Sequence, residues 1–466
     1  SARIFTNKSL VQGKEDVMEK NLYQRIRNEI GKIPLVDTHE HFMLEKERLN
    51  TRIDFFYLFP HYASSDLVSS GMSPEVLDEI WSSDLSLENK WDEFEPYWKN
   101  IKNTAYARSL LIAAQDLFEI EDINKTTWRK LSEKIASSNR EGWYRYVLKE
   151  KANIDVSIVD DLDLGSRKKE APRIERSLER LPRIDRELPP MDPDFFLPVV
   201  RFDEFVIVRT LDEIRQMEKM YHLAIHSLDD LLKTLDRAFE KRIKKRIIGV
   251  KTGLAYLRTL KYDKVTKHEA ELLFNRIFHH MGEGLSWKEA KPLQDFMMHQ
   301  IIRRTIEYNL PLQIHTGLQE GNGNIITNSN PTHLVNLFIE YKGAKFDLFH
   351  SGYPYTGELA TLAKNFANVY ADMCWLHIVS PYIARRTLEE WIEMIPANKI
   401  FAFGGDYIIV EGAYAHSCLA RDNVARVLTE KIKENYFTEN EALELAQKIL
   451  RENPAAFFKI KEKHHL

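Results

Sequence analysis

Eight short, β-rich apolar runs separated by stretches of helical character constrain this chain more than any other feature of its sequence. They are Leu35–Phe42, Asn153–Asp160, Phe196–Val206, Ile247–Leu254, Pro311–Gly317, Phe346–Gly352, Val369–Trp375 and Ile400–Asp406. Strands that alternate with helices pair in parallel through crossover helices, and eight such units close into a barrel. The expected fold is therefore α/β, a (β/α)8 TIM barrel. One barrel with insertions absorbs 466 residues without a second independent core. No repeat of 20–50 residues is evident, which sets aside solenoids and propellers.

The spacing of the runs is uneven, and this predicts a large helical insertion after strand 1. Residues 43–150 are rich in aromatic and charged side chains, including Trp81, Trp91, Trp98, Trp128 and Trp143. The organisation reads as an N-terminal helix and first strand (1–42), a helical insertion (43–150) and the rest of the barrel (151–466). An insertion there rises from the C-terminal face, where barrels of this kind build their sites, so it is expected to act as a lid or as a flank or subunit contact. Leu164 to Asp194, dense in Arg, Glu and Pro, reads as an exposed connection with some helix. Lys261–Glu307 reads as helices, and Asn423–Ile460 as two more that close the barrel.

Composition narrows the partners. With 66 basic and 70 acidic side chains and a formal net charge of −4, the chain has no overall field to hold a polyanion, so nucleic acid is not expected. Hydrophobic residues at 44% and charged residues at 29% fit a packed interior under a solvated surface. Only Cys374 and Cys418 are present, too few for a disulfide framework. Neither a signal-peptide core nor a membrane-spanning apolar run is seen. The expectation is a cytoplasmic protein acting on a small molecule, with no membrane or nucleic-acid partner; homo-oligomerisation is left open.

The sharpest local signal is Val36-Asp37-Thr38-His39-Glu40-His41-Phe42, an apolar strand ending in two histidines one residue apart. Positions i and i+2 of a strand face the same way, so His39 and His41 present two imidazoles to one point, as ligands of a cation such as Zn2+. Three further strand ends carry ligand-type groups: His315 on strand 5, His350 on strand 6 and Asp406 on strand 8. In a closed barrel strand 8 lies beside strand 1 at about 4.8 Å, which brings Asp406 to the same point, with His315 and His350 across the mouth. His61, His222, His226, His279, His280 and His299 fall in helical or loop contexts and are assigned no site role.

Lys251 ends strand 4. A deprotonated amine there can capture CO2 and bridge two metals as a carbamate, whereas an ammonium anchors a substrate carboxylate. Tyr256 and Arg258 follow closely as candidate contacts for an anionic substrate.

With these residues in view, the chain resembles the amidohydrolase superfamily, in particular its amidohydrolase 2 branch, from about Leu35 to Ile460 excluding the insertion. Asp37-Thr-His-Glu-His41 looks like the strand-1 motif, Lys251, His315, His350 and Asp406 occupy the matching strand ends, and Asn453-Pro-Ala-Ala-Phe-Phe458 looks like the closing helix. Lys251-Thr-Gly-Leu-Ala-Tyr-Leu-Arg258 and His350-Ser-Gly-Tyr-Pro-Tyr355 most resemble the nodulin- and FluG-like relatives. The resemblance implies one or two divalent ions, usually zinc, and a water activated to cleave an amide, ester or related bond. The implied roles are metal ligation by His39, His41 and Asp406, with Asp406 also moving the proton. His315 and His350 would steady charge on the attacked oxygen or, with a carboxylated Lys251, hold a second metal. Relatives with similar ligands decarboxylate, and uronate isomerisation is a third reading; Gly-Gly-Asp406-Tyr-Ile lacks the basic residue associated with uronate isomerases. A non-catalytic barrel that keeps a metal is the remaining alternative.

Overall fold

The computed structural model describes residues 21–82, 84–160, 192, 195–279 and 284–460. Eight parallel strands run in chain order: β1 (Leu35–Glu40), β2 (Ile154–Asp160), β3 (Phe196–Val200), β4 (Gly249–Thr252), β5 (Leu312–His315), β6 (Phe346–Phe349), β7 (Val369–Asp372) and β8 (Ile400–Phe401). Each hydrogen-bonds to the next. Past the short β8, backbone bonds from Thr38 N to Phe403 O (3.3 Å), Asp406 N to His39 O (2.8 Å) and His41 N to Tyr407 O (2.9 Å) join the chain to β1 and close the barrel. The expected (β/α)8 architecture and strand order stand.

The strands are short and buried because helices cover their outer faces. In the helix Leu228–Ile243, Leu231, Leu235, Ala238 and Phe239 recur on one face and are buried, the spacing of an inward stripe. Phe239 stacks on Phe202 just after β3, with centroids 4.0 Å apart. Ser227 caps this helix by accepting from Asp230 N, which satisfies one of its unpaired donors.

Two expected limits shift. The third run ends as strand at Val200, and Asp203–Val206 forms a short helix, since Arg201, Asp203 and Glu204 turn their polar heads to separate partners. The closing helix starts at Val410, not at Asn423, and runs to Lys433. Leu164–Asp194 lies, apart from Asp192, outside the described residues.

The stretch between β1 and β2 is helical, with Tyr62–Ser69, Pro74–Trp81, Leu87–Ile101, Ala105–Phe118 and Trp128–Ser137 among its helices. It has an aromatic centre in which Trp91 and Trp128 stack 5.7 Å apart and Phe94 packs against Phe55, Phe56 and Phe59. Fully buried Arg48 and Glu411 pair at 2.9 Å, tying it to the helix after β8. Trp143 Nε1 donates to the same Glu411 carboxylate at 2.7 Å. Over the mouth, Tyr62 stacks on Trp375 with centroids 3.6 Å apart, and Ser109 and Tyr407 share a hydroxyl hydrogen bond of 2.9 Å.

Candidate metal centre

All eight strand ends send polar groups or aromatic rings to one region. His39 lies one residue before the end of β1 and His41 one residue past it, their Nε2 atoms 3.2 Å apart. Asp406 Oδ1 lies 3.3 Å from His41 Nε2 and 3.8 Å from His39 Nε2. The three donors fall within 4.8 Å of one another and are buried.

Asp406 is held by its surroundings on both sides. Its φ of 52° lies in the left-handed region that Asp tolerates better than most residues. Its N–H donates to His39 O, Gly405 N donates to Asp37 Oδ1 (2.9 Å), and Tyr407 N donates to Glu40 Oε2 (2.6 Å). A Cβ on Gly405 would lie 1.8 Å from Glu40 Oε1, so this position admits no side chain. Behind the loop, His416 Nδ1 donates to Gly405 O at 3.1 Å.

Burial first, then the neighbouring Lys251, holds His39 well below the ordinary imidazole range; burial holds His41 low against the opposing pull of Asp160. Both rings are thus neutral at pH 7, as metal ligands must be. Two neutral rings facing each other through Nε2 cannot each donate if Nδ1 carries the proton. Donors about 2.0–2.1 Å from a tetrahedral ion stand about 3.3 Å apart, close to the observed separation. The donor set fits a divalent cation. Burial pushes Asp406 up to about 8, partly opposed by Lys251; a dication beside it would pull that value down.

The same pattern recurs across the mouth. His350 Nε2 lies 3.1 Å from His315 Nδ1 and 3.8 Å from Asp406 Oδ2. His350 Nδ1 faces Cys374 O (3.2 Å) and His315 Nε2 faces Leu318 O (3.0 Å). Carbonyls only accept, so the tautomers that satisfy them leave His315 Nδ1 and His350 Nε2 as acceptors. Burial keeps both rings neutral. With both of these nitrogens free to accept, the pair can take a cation or a hydrogen from substrate.

The remaining sequence candidates separate. Lys251 Nζ reaches the cluster, donating to Asp160 Oδ2 at 3.0 Å and standing 3.2 Å from His39 Nε2. Tyr256 lines the site, with its ring 4.8 Å from that of His315 and its hydroxyl accepting from Glu320 N (3.0 Å). Arg258 is not brought to the cluster: its guanidinium pairs with Asp295 and donates to Gln294 and to the carbonyls of Thr259 and Lys261.

Several side chains at the site were not singled out from sequence. Asp160 at the end of β2 accepts from Arg201 just past β3, Nε at 2.9 Å and Nη2 at 2.6 Å. Burial alone would raise Asp160, but Arg201 and Lys251 hold it well below the usual carboxylate range. Both residues lay within predicted strands, and the signal available was a charged residue at or near a strand end. His61 and Tyr62 come from the insertion: the His61 ring lies 6.3 Å from that of His41, and Trp375 stands between Tyr62 and His350. No local pattern in the sequence marks an insertion residue as a neighbour of the barrel mouth.

Fold and cluster define a parallel (β/α)8 barrel with a histidine–carboxylate centre at the C-terminal ends of its strands. Residues 263–460 match the amidohydrolase family model. Over that stretch the chain is similar to the amidohydrolase family, and its barrel and histidine–carboxylate cluster accord with that likeness. It is 28% identical over 228 residues to Protein fluG of Emericella nidulans, a match that covers 46% of this chain and 26% of that protein. The match thus spans about a quarter of the curated relative's length. Among solved structures, the uronate isomerase of Thermotoga maritima superposes with a TM-score of 0.75 at 17% identity, over 94% of this chain and 97% of that one. The glucuronate isomerase of Caulobacter crescentus gives 0.72 at 16% identity, over 96% and 95%. A protein of Lactobacillus casei inferred to be a metal-dependent hydrolase gives 0.61 at 17% identity, over 92% and 96%. At these identities the likeness is one of fold. Among the described residues, no helix is long and apolar enough to cross a membrane.

Proposed function

We propose that this chain is a metal-dependent hydrolase that cleaves an amide, ester or related bond of a small substrate, with one divalent ion, zinc by its ligand chemistry, held by His39, His41 and Asp406. The observation that carries the reading is the convergence of two neutral imidazole Nε2 atoms, 3.2 Å apart, on a carboxylate. When bound, such an ion supplies Lewis acidity that polarises a carbonyl oxygen and makes water nucleophilic near neutral pH. Asp406 takes the proton released as water attacks and returns it to the leaving group. His350 Nε2 accepts a hydrogen bond from a substrate N–H or O–H, and the bond its Nδ1 donates to Cys374 O fixes that ring. Lys251 stays an ammonium, because a carbamate in its place would set two anions side by side at Asp160; this favours one ion over a bridged pair. Tyr62 and Trp375 cover the centre and limit water.

Chelation followed by zinc addition tests the shared premise, with hydrolysis lost and then regained; turnover unaffected by complete metal removal contradicts it. Asp406→Asn should lower turnover by about 10²–10⁴-fold while the far-UV circular dichroism stays unchanged.

A second reading is metal-dependent isomerisation of a uronate. Two observations favour it: the superposition on uronate isomerases runs through the insertion, and that insertion brings His61 and Tyr62, proton-carrying groups, to the mouth. Incubation with a panel of uronates and of N-acyl and ester substrates separates the two. Aldose-to-ketose conversion without change of mass marks the isomerase, and release of an amine or alcohol marks the hydrolase.

A further inference from the structure

The metal reading leaves unexplained two cations buried side by side at the ends of β3 and β4. Arg201 donates through Nε and Nη2 to Asp160 Oδ2, and Lys251 Nζ donates to the same oxygen at 3.0 Å. The side chain of Asp160 is fully buried, that of Lys251 is 2% exposed and that of Arg201 is 12% exposed. Asp203 lies near Arg201 and accepts from Gly253 N at 2.9 Å.

We propose that Arg201, assisted by Lys251, is a carboxylate-binding subsite, so that the substrate is a small carboxylic acid whose reacting bond lies toward His39, His41 and Asp406. The inference rests on the reading of that cluster as the reaction centre. Burying an ion-paired network seldom stabilises a fold more than apolar packing of the same volume would, so stability alone gives little reason for placing this one at the barrel mouth. The geometry supplies a functional reason. Asp160 engages the Nε and Nη2 side of the guanidinium and fixes its plane. Nη1 lies over Gly253, where a Cβ would stand 2.6 Å from it, so the backbone after β4 is shaped to admit the group. The Nη1 edge turned from Asp160 has the planar fork that a carboxylate matches with two parallel hydrogen bonds.

The subsite adjoins the centre. Asp160 Oδ2 is 3.9 Å from His39 Nε2, and Lys251 Nζ lies 3.0 Å from the first and 3.2 Å from the second. An acid held by Arg201 therefore has only a short reach to the reacting atoms, which selects small substrates. Three carboxylates nearby, Asp160, Asp203 and Asp406, favour a monoanion over a dianionic phosphate, whose second charge they would repel.

The test uses the full chain loaded with zinc, its metal content measured first. Acid and amide pairs of matched shape, acetate with acetamide and benzoate with benzamide, are titrated calorimetrically, alongside inorganic phosphate. At least one acid should bind ten-fold or more tightly than its amide and more tightly than phosphate. Arg201→Met should abolish that preference with zinc content unchanged, and Arg201→Lys should retain part of it. Should Arg201→Met fail to fold, Gly253→Ala, which crowds Nη1, should weaken the acid at least three-fold and leave the amide unaffected. Equal binding of acid and amide, a preference that survives loss of the guanidinium or crowding at Gly253, or tighter binding of phosphate overturns the subsite. A chain that takes up no zinc overturns the metal reading instead, and its acid preference still decides this one.

Discussion

At the scale of single residues, what matters most is how neutral or charged each buried group is held. Gly405 leaves no space for a methyl group because fully buried Glu40 fills it. Gly405→Ala should cost about 1–3 kcal/mol through overpacking and displace Asp406, read as a lower denaturation midpoint together with reduced metal content. Away from the centre, burial pushes Glu204 up to about 7, although its Oε1 accepts from Tyr221 Oη at 2.8 Å. A carboxyl raised on folding binds more protons in the folded state than in the unfolded one between about pH 4.5 and 7, so stability falls as pH rises through that window. Glu204→Gln should remove a fall of about 3 kcal/mol, seen as a flatter melting temperature against pH over that range. An unchanged slope would show that Glu204 does not titrate this way. His39, His41, His315, His350 and Asp406 were legible because ligand-type residues at strand ends follow from strand geometry alone. Asp160 and Arg201 were not, since a charged residue at a strand end gives no sign of whether its partner is solvent, substrate or another strand. Arg258 was misplaced for a related reason: its proximity in sequence to Lys251 said nothing of Asp295, which sits 37 residues further along on the next helix but one.

At the scale of elements, the eight predicted strands emerge in order, because apolar runs between helical patterns mark parallel strands well. Their ends were overextended wherever a polar turn carries site residues, as at Arg201 to Val206 and at Gly404 to Asp406. The insertion was legible as helical through its aromatic and charged composition. Its docking was not, since that depends on contacts with residues hundreds of positions away. The buried Arg48–Glu411 pair is one such contact. Arg48→Met should cost about 3–5 kcal/mol by leaving Glu411 without its counterion, and Arg48→Met with Glu411→Leu should recover much of that loss in denaturant unfolding. If the single and double variants unfold alike, the pair does not anchor the insertion.

At the scale of the whole molecule, the barrel gathers groups from strands at opposite ends of the chain, and the insertion lays Tyr62 over them. A ligand that binds only the folded state stabilises the entire chain, by about 2.7 kcal/mol at a hundred times its dissociation constant. Chelation should therefore lower the melting temperature as well as activity, and zinc should restore both; a melting temperature indifferent to chelator would mean that the centre holds no ion. The most direct measurement is an anomalous difference map from crystals of the zinc-loaded protein, recorded on either side of the zinc edge. One strong peak is expected within bonding distance of His39 Nε2, His41 Nε2 and an Asp406 oxygen, absent in His39→Asn/His41→Asn. Absence of a peak at that point, or its persistence after both imidazoles are removed, would contradict it.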